Sequence, residues 1–296
     1  MYLTLPFVDV KTANARPVHW AISTACVVPA VQFGHALGRH IGASRGEDLT
    51  ESSAAGGVYP TSVRLVHHRS RVLKDRLPKV GTVIQKRRAA GPTLNLEQEL
   101  NSKGKKTVGR VSDQPAVFAD ILVSMVLEFD DDDQIDELDI PDINSFVRRA
   151  RIAGGQIIDH RPTELHDTLR DAMKSIGSGF VINERSDLID PADPLRSMLD
   201  ALYGDRLKPQ GGASNDRAWL VPTCLGYVLA ESRCCRNGVR FGLPHAYCEP
   251  LAGLVQYRSV RSYISENRDS PGWHSIWVNS TAWVVTQAGS SSSLSV

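Results

Sequence analysis

The stretch PAVFADILVSMVLEF, residues 115–129, is a long and mostly apolar run. The acidic segment DDDDQIDELD, residues 130–139, closes it. A continuous apolar run bounded by polar residues is typical of a buried strand. We therefore predict a strand over 115–129, followed by a solvated acidic loop.

The residues before this run predict a strand, a helix and a second strand. YLTLPFVDV, residues 2–10, has the composition of a strand. Phe33, Leu37 and Ile41 then recur at i, i+4 and i+8, the spacing of one helical face. Glycines and a proline mark a turn, after which TSVRLVHH, residues 61–68, is predicted to be a strand.

The residues after the run predict a helix and a further strand. One apolar face is formed by positions at i, i+3, i+4 and i+7, which are Ile143, Phe146, Val147 and Ala150. Arginines follow off this face in RRARIAGG, residues 148–155. Gly154 is expected to end the helix in the left-handed conformation, and QIID, residues 156–159, is expected to be the next strand.

The predicted order is strand, helix, strand, strand, helix, strand, which indicates the α+β class. This βαββαβ order is that of ferredoxin-like and RNA-recognition folds. It says little about activity, because the fold hosts many unrelated functions. We expect this core to span residues 1–206, with a long basic loop over 69–115 inserted in it.

The C-terminal part predicts an α+β extension over residues 207–289 and a flexible tail over 290–296. Before the extension, three further segments belong to the predicted core. They are a capped helix over 163–177, a strand over 179–184 and a helix over 193–204. A linker over 207–217 precedes the extension. Its predicted elements are strands within 218–230 and 273–286 and a helix across 254–265.

The net charge of +1 conceals two segments of opposite sign. Residues 64–110 contain 13 Lys and Arg against 3 Asp and Glu, whereas residues 120–142 contain 10 acidic residues and no basic ones. Because contacts respond to local fields, a basic block of this size attracts a polyanion even in a neutral protein. Two solvated loops would explain the same charges.

No membrane association and no metal or cofactor are expected. Apolar runs fall short of the roughly 18 residues of a membrane span, and the N-terminus lacks a secretory signal, so we predict a cytoplasmic protein. Five cysteines favour reduced thiols over a disulfide framework. One set would in principle bind zinc but lacks paired knuckle spacing; it consists of Cys234, Cys235, His245 and Cys248.

The common catalytic motifs are missing from the sequence, with no P-loop, no GxGxxG after a strand, no HExxH and no GxSxG. His67 and His68 end a predicted strand beside Arg69 and Arg71, an arrangement that suits acid–base cleavage of RNA. Paired histidines at a strand end are more often surface residues. Four tryptophans are candidates for base stacking or for the core, namely Trp219, Trp273, Trp277 and Trp283.

Several stretches, taken in order, resemble one family. They are LPFVDVKTANA at 5–15, Trp20, FGHALGRHIG at 33–42, VHHR at 66–69, the strand at 117–127, RIAGG at 151–155, GFVI at 179–182, WLVPTCLGY at 219–227 and CEPLAGL at 248–254. The family is the second subunit of the type I-F CRISPR surveillance (Csy) complex, a RAMP protein that caps the 5′ handle of the CRISPR RNA. The stretches span nearly the whole chain.

The resemblance implies a non-catalytic RNA-binding subunit with a RAMP core. Such a subunit binds the 5′ handle, joins the large subunit to the backbone subunits and lies near the target double-stranded DNA at the PAM. Guide pairing would then supply sequence specificity, with protein contacts to backbone and shape. The candidate RNA-binding residues are Arg69, Arg71, Lys86, Arg87, Arg88, Arg148, Arg149, Arg151, Gly154 and Gly155.

Two alternatives stay open at this point. The first is a metal-independent RNA-processing endoribonuclease of the RAMP superfamily that uses His67 and His68. The second is an assembly protein whose acidic residues over 128–142 dock a basic partner without any RNA contact of their own.

Overall fold

A computed structural model describes residues 1–46, 57–77, 81–84, 86–88, 115–130, 135–207, 219–235, 244–266 and 271–287. For residues 75–77, 81–84, 86–88, 115–116 and 205–207 only the backbone is described. No helix among these residues is both long and apolar enough to cross a membrane.

The described part contains fourteen strands and five α-helices. The strands are β1 Tyr2–Asn14, β2 Ser62–Val72, β3 Lys74–Leu77, β4 Gly81–Ile84, β5 Lys86–Arg88, β6 Pro115–Glu128, β7 Arg151–Ile152, β8 Gly155–Asp159, β9 Glu164–His166, β10 Phe180–Glu184, β11 Leu220–Leu229, β12 Cys248–Ser259, β13 His274–Trp277 and β14 Ala282–Thr286. The helices are α1 Val27–Ser44, α2 Ile140–Arg149, α3 Leu169–Ile176, α4 Pro194–Leu207 and α5 Val260–Glu266.

Strand β6, which covers the apolar run up to Glu128, lies inside an antiparallel sheet of twelve strands. The sheet order is β13-β14-β11-β12-β10-β2-β6-β1-β8-β7, with β5 paired to β6 and β9 paired to β1. Leu127 of β6 lies opposite Leu3 on one edge and opposite Val63 on the other. Because α1 contacts β2 and β7 as well as β11 and β14, the sheet curls around this helix.

The mixed α and β class is confirmed. The predicted core elements occur in the expected order, and the short strands β3, β4, β5 and β7 lie between them. Four strands of the sheet lie in the order β2-β6-β1-β8 and are antiparallel throughout. Helix α1 connects β1 to β2 along the chain, and α2 connects β6 to the β7–β8 hairpin.

One face of the sheet packs against α1 and α2 to form the main hydrophobic core. Alternate residues of β6 point into it, as the period of two in a strand requires. These are Val117, Ala119, Ile121, Val123, Met125 and Leu127, all buried. They meet Phe33, Leu37 and Ile41 of α1 and Ile143 and Val147 of α2, which are the apolar positions that the helical spacing predicts.

Helices α3 and α5 cover one half of the opposite face. Val66 and Val126 are buried there beneath α3 and Tyr263 of α5. At this end Arg64 donates to Glu128 over 2.9 Å, and the side chain of Arg64 is only 4% exposed. Burial acts to raise the pKa of Glu128, but hydrogen bonds from Ser62 and Arg64 outweigh it and hold that pKa below its usual value.

The predicted helix cap at Gly154 is wrong. Helix α2 ends at Arg149, and the chain turns at once into the two-residue strand β7. Ala153 and Gly154 have φ of 50° and 74° and form the tight turn between β7 and β8. Two central residues with positive φ match the twist of a hairpin. A hairpin forms here instead of a longer helix because β8 pairs with β1, and this pairing gives the backbone N–H and C=O groups of β8 hydrogen-bond partners.

Two other predicted helices begin later than the sequence suggests. Residues 164–166 of the predicted helix over 163–177 form β9 on the edge of β1, and α3 begins at Leu169 with Thr168 as its N-cap. In the predicted helix over 254–265, the residues up to Ser259 belong to β12. The helix α5 begins only at Val260. In both cases a neighbouring strand supplies hydrogen-bond partners that local helical spacing does not anticipate.

The predicted core and the predicted C-terminal extension, divided at residues 206–207, share one sheet through strand β12. It pairs with β10 on one edge and with β11 on the other. Within the predicted basic loop over 69–115, β2 continues to Val72, β3 and β4 form a hairpin, and β5 pairs with the first residues of β6. Residues 89–114, the predicted tail over 290–296 and nearly all of the predicted linker over 207–217 lie outside the described residues.

Gly155 is expected to be essential for the packing of β8 on β1. A Cβ at this position would lie 2.7 Å from the nitrogen of Ala13 and 2.7 Å from the oxygen of Lys11. We therefore expect Gly155→Ala to lower the free energy of unfolding by about 1–3 kcal/mol, measured by urea denaturation.

The neighbouring Gly154 supplies the control. It has positive φ, but no described atom lies within 4 Å of where its Cβ would stand, and asparagine tolerates this conformation. Gly154→Asn should change the unfolding free energy by less than about 1 kcal/mol. Equal losses in the two variants would contradict the close-approach explanation.

Candidate nucleic-acid interface

On the sheet face opposite α1 and α2, α3 and α5 cover only one half. The other half carries exposed and half-buried residues, most of them polar. We call it the open sheet face; its residues are Phe7, Asp9, Lys11, Arg69, Arg71, Asp120, Leu122, Arg151, Gln156 and Arg161. A bulge between His67 and Arg69 sets the register of β2 here. It brings Arg69 opposite Leu122 and Arg71 opposite Asp120, so both arginines share this face with β6.

A row of charged side chains crosses the open sheet face from strand to strand. Arg151 lies opposite Gln156, and Gln156 lies opposite Lys11. The Lys11 Nζ atom is 3.9 Å from a carboxylate oxygen of Asp120, and the Arg71 guanidinium is 3.5 Å from the same atom. Directly opposed residues on a sheet lie about 5 Å apart. Lys11 is also 3.1 Å from a carboxylate oxygen of Asp9. The row thus joins Arg71 to Lys11 through Asp120 and continues past Gln156 to Arg151.

Aromatic rings and an arginine stack at the edge of this face. Phe7 has a φ of 53° in a bulge of β1, and its ring stacks on His68 with centroids 4.4 Å apart. The guanidinium carbon of Arg161 lies 3.9 Å from the Phe7 ring centroid, within the range of a cation–π contact. The Phe7 N–H donates to the Ser124 hydroxyl over 2.8 Å, which anchors the bulge to β6.

The two histidines of the nuclease alternative are held neutral by their surroundings. His67 is buried, and burial together with the neighbouring His68 lowers its pKa to about 3. Burial and the nearby Arg161 also lower the pKa of His68. His68 donates from Nδ1 to the carbonyl of Ser178 and accepts the Ser124 hydroxyl at Nε2. The imidazole of His68 is therefore occupied by structural contacts, and that of His67 is shielded by burial.

The other predicted site residues divide between two sides of the sheet. Arg148 and Arg149 are exposed in the last turn of α2, on the helix-covered side, and the Arg149 Nε–H donates back to the carbonyl of Ser145. Lys86, Arg87 and Arg88 form β5, whose side chains lie outside the description. Only Arg69, Arg71 and Arg151 are brought together on the open sheet face.

The turn at Gly154 borders a cleft of about 280 Å³. This cleft lies between the β7–β8 hairpin, the segment that leads into α1, and β11. Its lining residues are Asn14, Pro17, Ser23, Ala25, Cys26, Val28, Pro29, Ala153, Gly154, Thr223, Cys224 and Tyr227. The Asn14 N–H donates to the carbonyl of Ala153 over 2.8 Å and so ties the hairpin to the end of β1.

Sequence reasoning missed three residues of the open sheet face. Lys11 follows Asp9 on the outward side of β1, and the alternation of Val8 and Val10 with these two charges was the available signal. Phe7 lies on this face only because of the bulge, and Arg161 reaches it from the segment after β8. No local pattern predicts either of these contacts.

The acidic segment and the cysteine cluster have other surroundings. Asp139 pairs with Arg45 over 2.7 Å and Asp142 with His40 over 2.9 Å, so two of the acidic side chains are engaged by α1 and its C-cap. Within the described ranges, no group of three or more His, Cys, Asp or Glu residues is arranged to hold a metal ion. Cys26 and Cys224 are buried, and the other three thiols are exposed.

These features define a mixed α/β protein with a curled antiparallel sheet, helices on both of its faces and a charged, partly aromatic open surface on one of them. The family model of the CRISPR-associated protein (Cas_Csy2) matches residues 3–281, and the chain therefore belongs to this family. Membership makes the chain a subunit of a CRISPR Cascade complex, with a role in defence. No curated protein matches the chain.

The burial of His67 generates a testable pH dependence. Its folded pKa of about 3 lies below the ordinary value of about 6.5. The stability that this difference contributes is present above pH 6.5 and is lost as the pH falls toward 3. We expect ring ¹⁵N shifts of His67 to stay those of a neutral imidazole between about pH 5 and 8. Titration of His67 in that interval would contradict the burial.

Proposed function

We propose that this chain is a non-catalytic RNA-binding subunit of a type I-F Cascade. It caps the 5′ handle of the CRISPR RNA in the cytoplasm and joins the large subunit to the backbone subunits near the PAM-proximal end of the target double-stranded DNA. The observation that carries the proposal is the open sheet face, with Arg69 and Arg71 on β2, Lys11 on β1 and Arg151 on β7 of one sheet, in a chain of the Cas_Csy2 family.

We propose further that the core is ferredoxin-like, as in RAMP proteins. The strand order β2-β6-β1-β8, antiparallel throughout, supports this, because it is the order that two βαβ-type crossovers produce in a βαββαβ chain. The packing of α1 and α2 on one face is the second support. In such a fold the opposite sheet face is available to single-stranded RNA.

On this face the arginines and Lys11 would contact the sugar-phosphate chain. Charged hydrogen bonds to phosphates fix the register of a nucleic acid but carry no sequence information. Arg161 and Phe7 add a planar cation and a ring at the edge, where an unpaired base can stack. Sequence specificity for the target then comes from guide pairing, as the division of labour in RNA-guided complexes requires.

The remaining candidates extend this surface. Lys86, Arg87 and Arg88 lie on β5, beside the beginning of β6 and thus at the end of the sheet that carries Asp120 and Arg71. They would continue the cationic surface along the transcript or the adjacent duplex. Arg148 and Arg149 lie on the other side of the sheet and would meet a different part of the complex.

We propose that the subunit does not cut RNA. His67 is shielded by burial, and His68 donates and accepts in contacts within the protein. Incubation of the purified chain with repeat RNA in a chelator tests this directly. A discrete product that disappears in both His67→Ala and His68→Ala would favour the endoribonuclease instead.

Charge reversal of two arginines tests the RNA-binding surface. Arg69→Glu combined with Arg71→Glu should weaken binding of a guide RNA that carries the host's 5′ handle by about 10-fold or more, because charged hydrogen bonds to phosphate are lost. The slope of log affinity against log salt should fall by roughly 0.7 for each lost phosphate contact. Fluorescence anisotropy over a salt series measures both quantities.

Arg39→Glu combined with Arg196→Glu is the matched control, because it changes the net charge by the same amount. Arg39 is exposed on α1 and Arg196 on α4, and neither belongs to the open sheet face. This variant should retain the affinity and the salt slope of the natural chain. Equal effects of the two reversals would mean that only net charge matters and that the open sheet face is not the site.

Asp120 offers a test in the opposite direction. Its carboxylate accepts the Thr12 N–H and neutralises part of the charge of Lys11 and Arg71. Asp120→Asn keeps an acceptor for Thr12 but removes the negative charge, so Arg71 becomes available to phosphate, whereas Lys11 stays paired with Asp9 over 3.1 Å. We expect an affinity gain of about 5-fold for the same RNA. Unchanged or weaker binding would exclude this row as the phosphate contact.

A further inference from the structure

Three aromatic residues that are distant in sequence form one row on the C-terminal strands. Trp277 of β13 lies opposite Trp283 of β14, and Trp283 lies opposite Tyr227 of β11. Opposed residues share a sheet face, so the three rings stand side by side across three strands. We call this set, Tyr227, Trp283 and Trp277, the aromatic row.

The row is accessible at both ends and supported in the middle. Trp277 is 52% exposed and Tyr227 is 36% exposed, whereas Trp283 is half-buried and packs against the main core. The rings of Tyr227 and Trp283 are nearly parallel, at 17°, with centroids 6.2 Å apart. By contrast, Trp273 is buried and donates its indole N–H to the carbonyl of Ile182, so it belongs to the core.

A cation lies at the outer end of the row. The guanidinium carbon of Arg233 is 4.5 Å from the centroid of the Trp277 ring. Arginine stacked on an aromatic ring keeps its hydrogen-bond donors at the rim, where they can reach phosphate or base edges. The outer end of the row therefore combines a flat apolar surface with a positive charge.

The inner end of the row opens into the cleft at Gly154. Tyr227 lines this cleft together with the turn at Ala153 and Gly154 and with Asn14. Burial raises the pKa of Tyr227 to about 12, so its phenol stays protonated and brings no negative charge to the cleft. On the other side of the same hairpin, Arg151 belongs to the charged row of the open sheet face. The β7–β8 hairpin thus lies between the cleft and the open sheet face, and one single-stranded nucleic acid can contact both.

We infer that the aromatic row is a stacking platform for the unpaired bases of a single-stranded nucleic acid that rounds the β7–β8 hairpin through the cleft. Every base has a flat π-face, so rings at strand spacing receive successive bases without regard to sequence. The identity of the nucleic acid, the 5′ handle of the guide RNA, rests on the proposed function. The stacking chemistry does not depend on it.

The composition of the row favours bases over a protein partner. The neighbour of Tyr227 on β12 is Pro250, and the row itself contains no aliphatic side chain. An exposed aliphatic stripe exists elsewhere, on α4, where Leu195 and Leu199 are 60% and 43% exposed. Stacking of unpaired bases uses exposed rings and is helped by a nearby cation, and Trp277 with Arg233 supplies both at the outer end of the row.

Oligonucleotide binding by the full chain tests the inference. The probe is an unstructured oligouridylate of about 10 nucleotides, within the range of single-strand site sizes. Trp277→Ala should weaken its binding by about 10-fold while the slope of log affinity against log salt stays unchanged, because stacking releases no counterions. Trp277→Phe should recover most of the affinity, since it restores a ring.

The control is Trp219→Ala, which removes a tryptophan that is 70% exposed but lies outside the row. This variant should bind like the natural chain, and circular dichroism melting should show both alanine variants folded. Equal affinity of Trp277→Ala and the natural chain would overturn the inference. So would a Trp277→Ala variant that binds the oligonucleotide normally but no longer captures the large subunit, because the row would then be a protein contact.

The result separates this inference from the proposed function. If the Arg69 and Arg71 reversal leaves RNA binding intact while Trp277→Ala weakens it, the platform stands and the open sheet face fails as the phosphate site. If the reversal weakens binding with a reduced salt slope while Trp277→Ala has no effect, the open sheet face stands and the platform fails.

Discussion

Strand β6 is hydrogen-bonded to a neighbour on each edge, and the rest of the molecule depends on that double pairing. Its partner β1 begins the described chain, and its partner β2 follows α1, so the pairing with β1 joins residues more than a hundred positions apart, such as Tyr2 and Glu128. The register also sets which side chains face the helices. A slip of one residue would carry Ile121 and Val123 to the outer face and Asp120 into the core, which makes the register strongly specified.

The outer face of β6 carries two carboxylates in contrasting surroundings. Glu128 lies at the end covered by α3 and α5, where Arg64 and Ser62 satisfy its charge among buried side chains. Breaking such a partly buried pair leaves an uncompensated charge, so this end has a structural role. Asp120 lies eight residues earlier and pairs loosely with exposed cations. One strand thus provides a closed structural end and an open end suited to a charged ligand.

Periodicity within an element predicted much of this fold. The helical positions Phe33, Leu37 and Ile41 and the apolar run over 115–129 lie in the core as expected, because spacing along one element dictates which side it buries. The predictions failed where a segment had a choice between its own helical spacing and a free strand edge. RIAGG and the segment before Ser259 both became strands, since β8 and β12 find partners in β1 and β10.

By itself the sequence determined the mixed α/β class, the elements of the main core, the separation of basic and acidic segments and the candidacy of Arg69, Arg71 and Arg151. Only the tertiary structure decided which side chains become neighbours. The charged row joins Lys11 to Arg71, and the aromatic row joins Tyr227 to Trp277, across strands that are far apart in the chain. The physical reason is that local periodicity encodes the direction of a side chain within its own element, whereas cross-strand neighbours arise from sheet order, register and bulges.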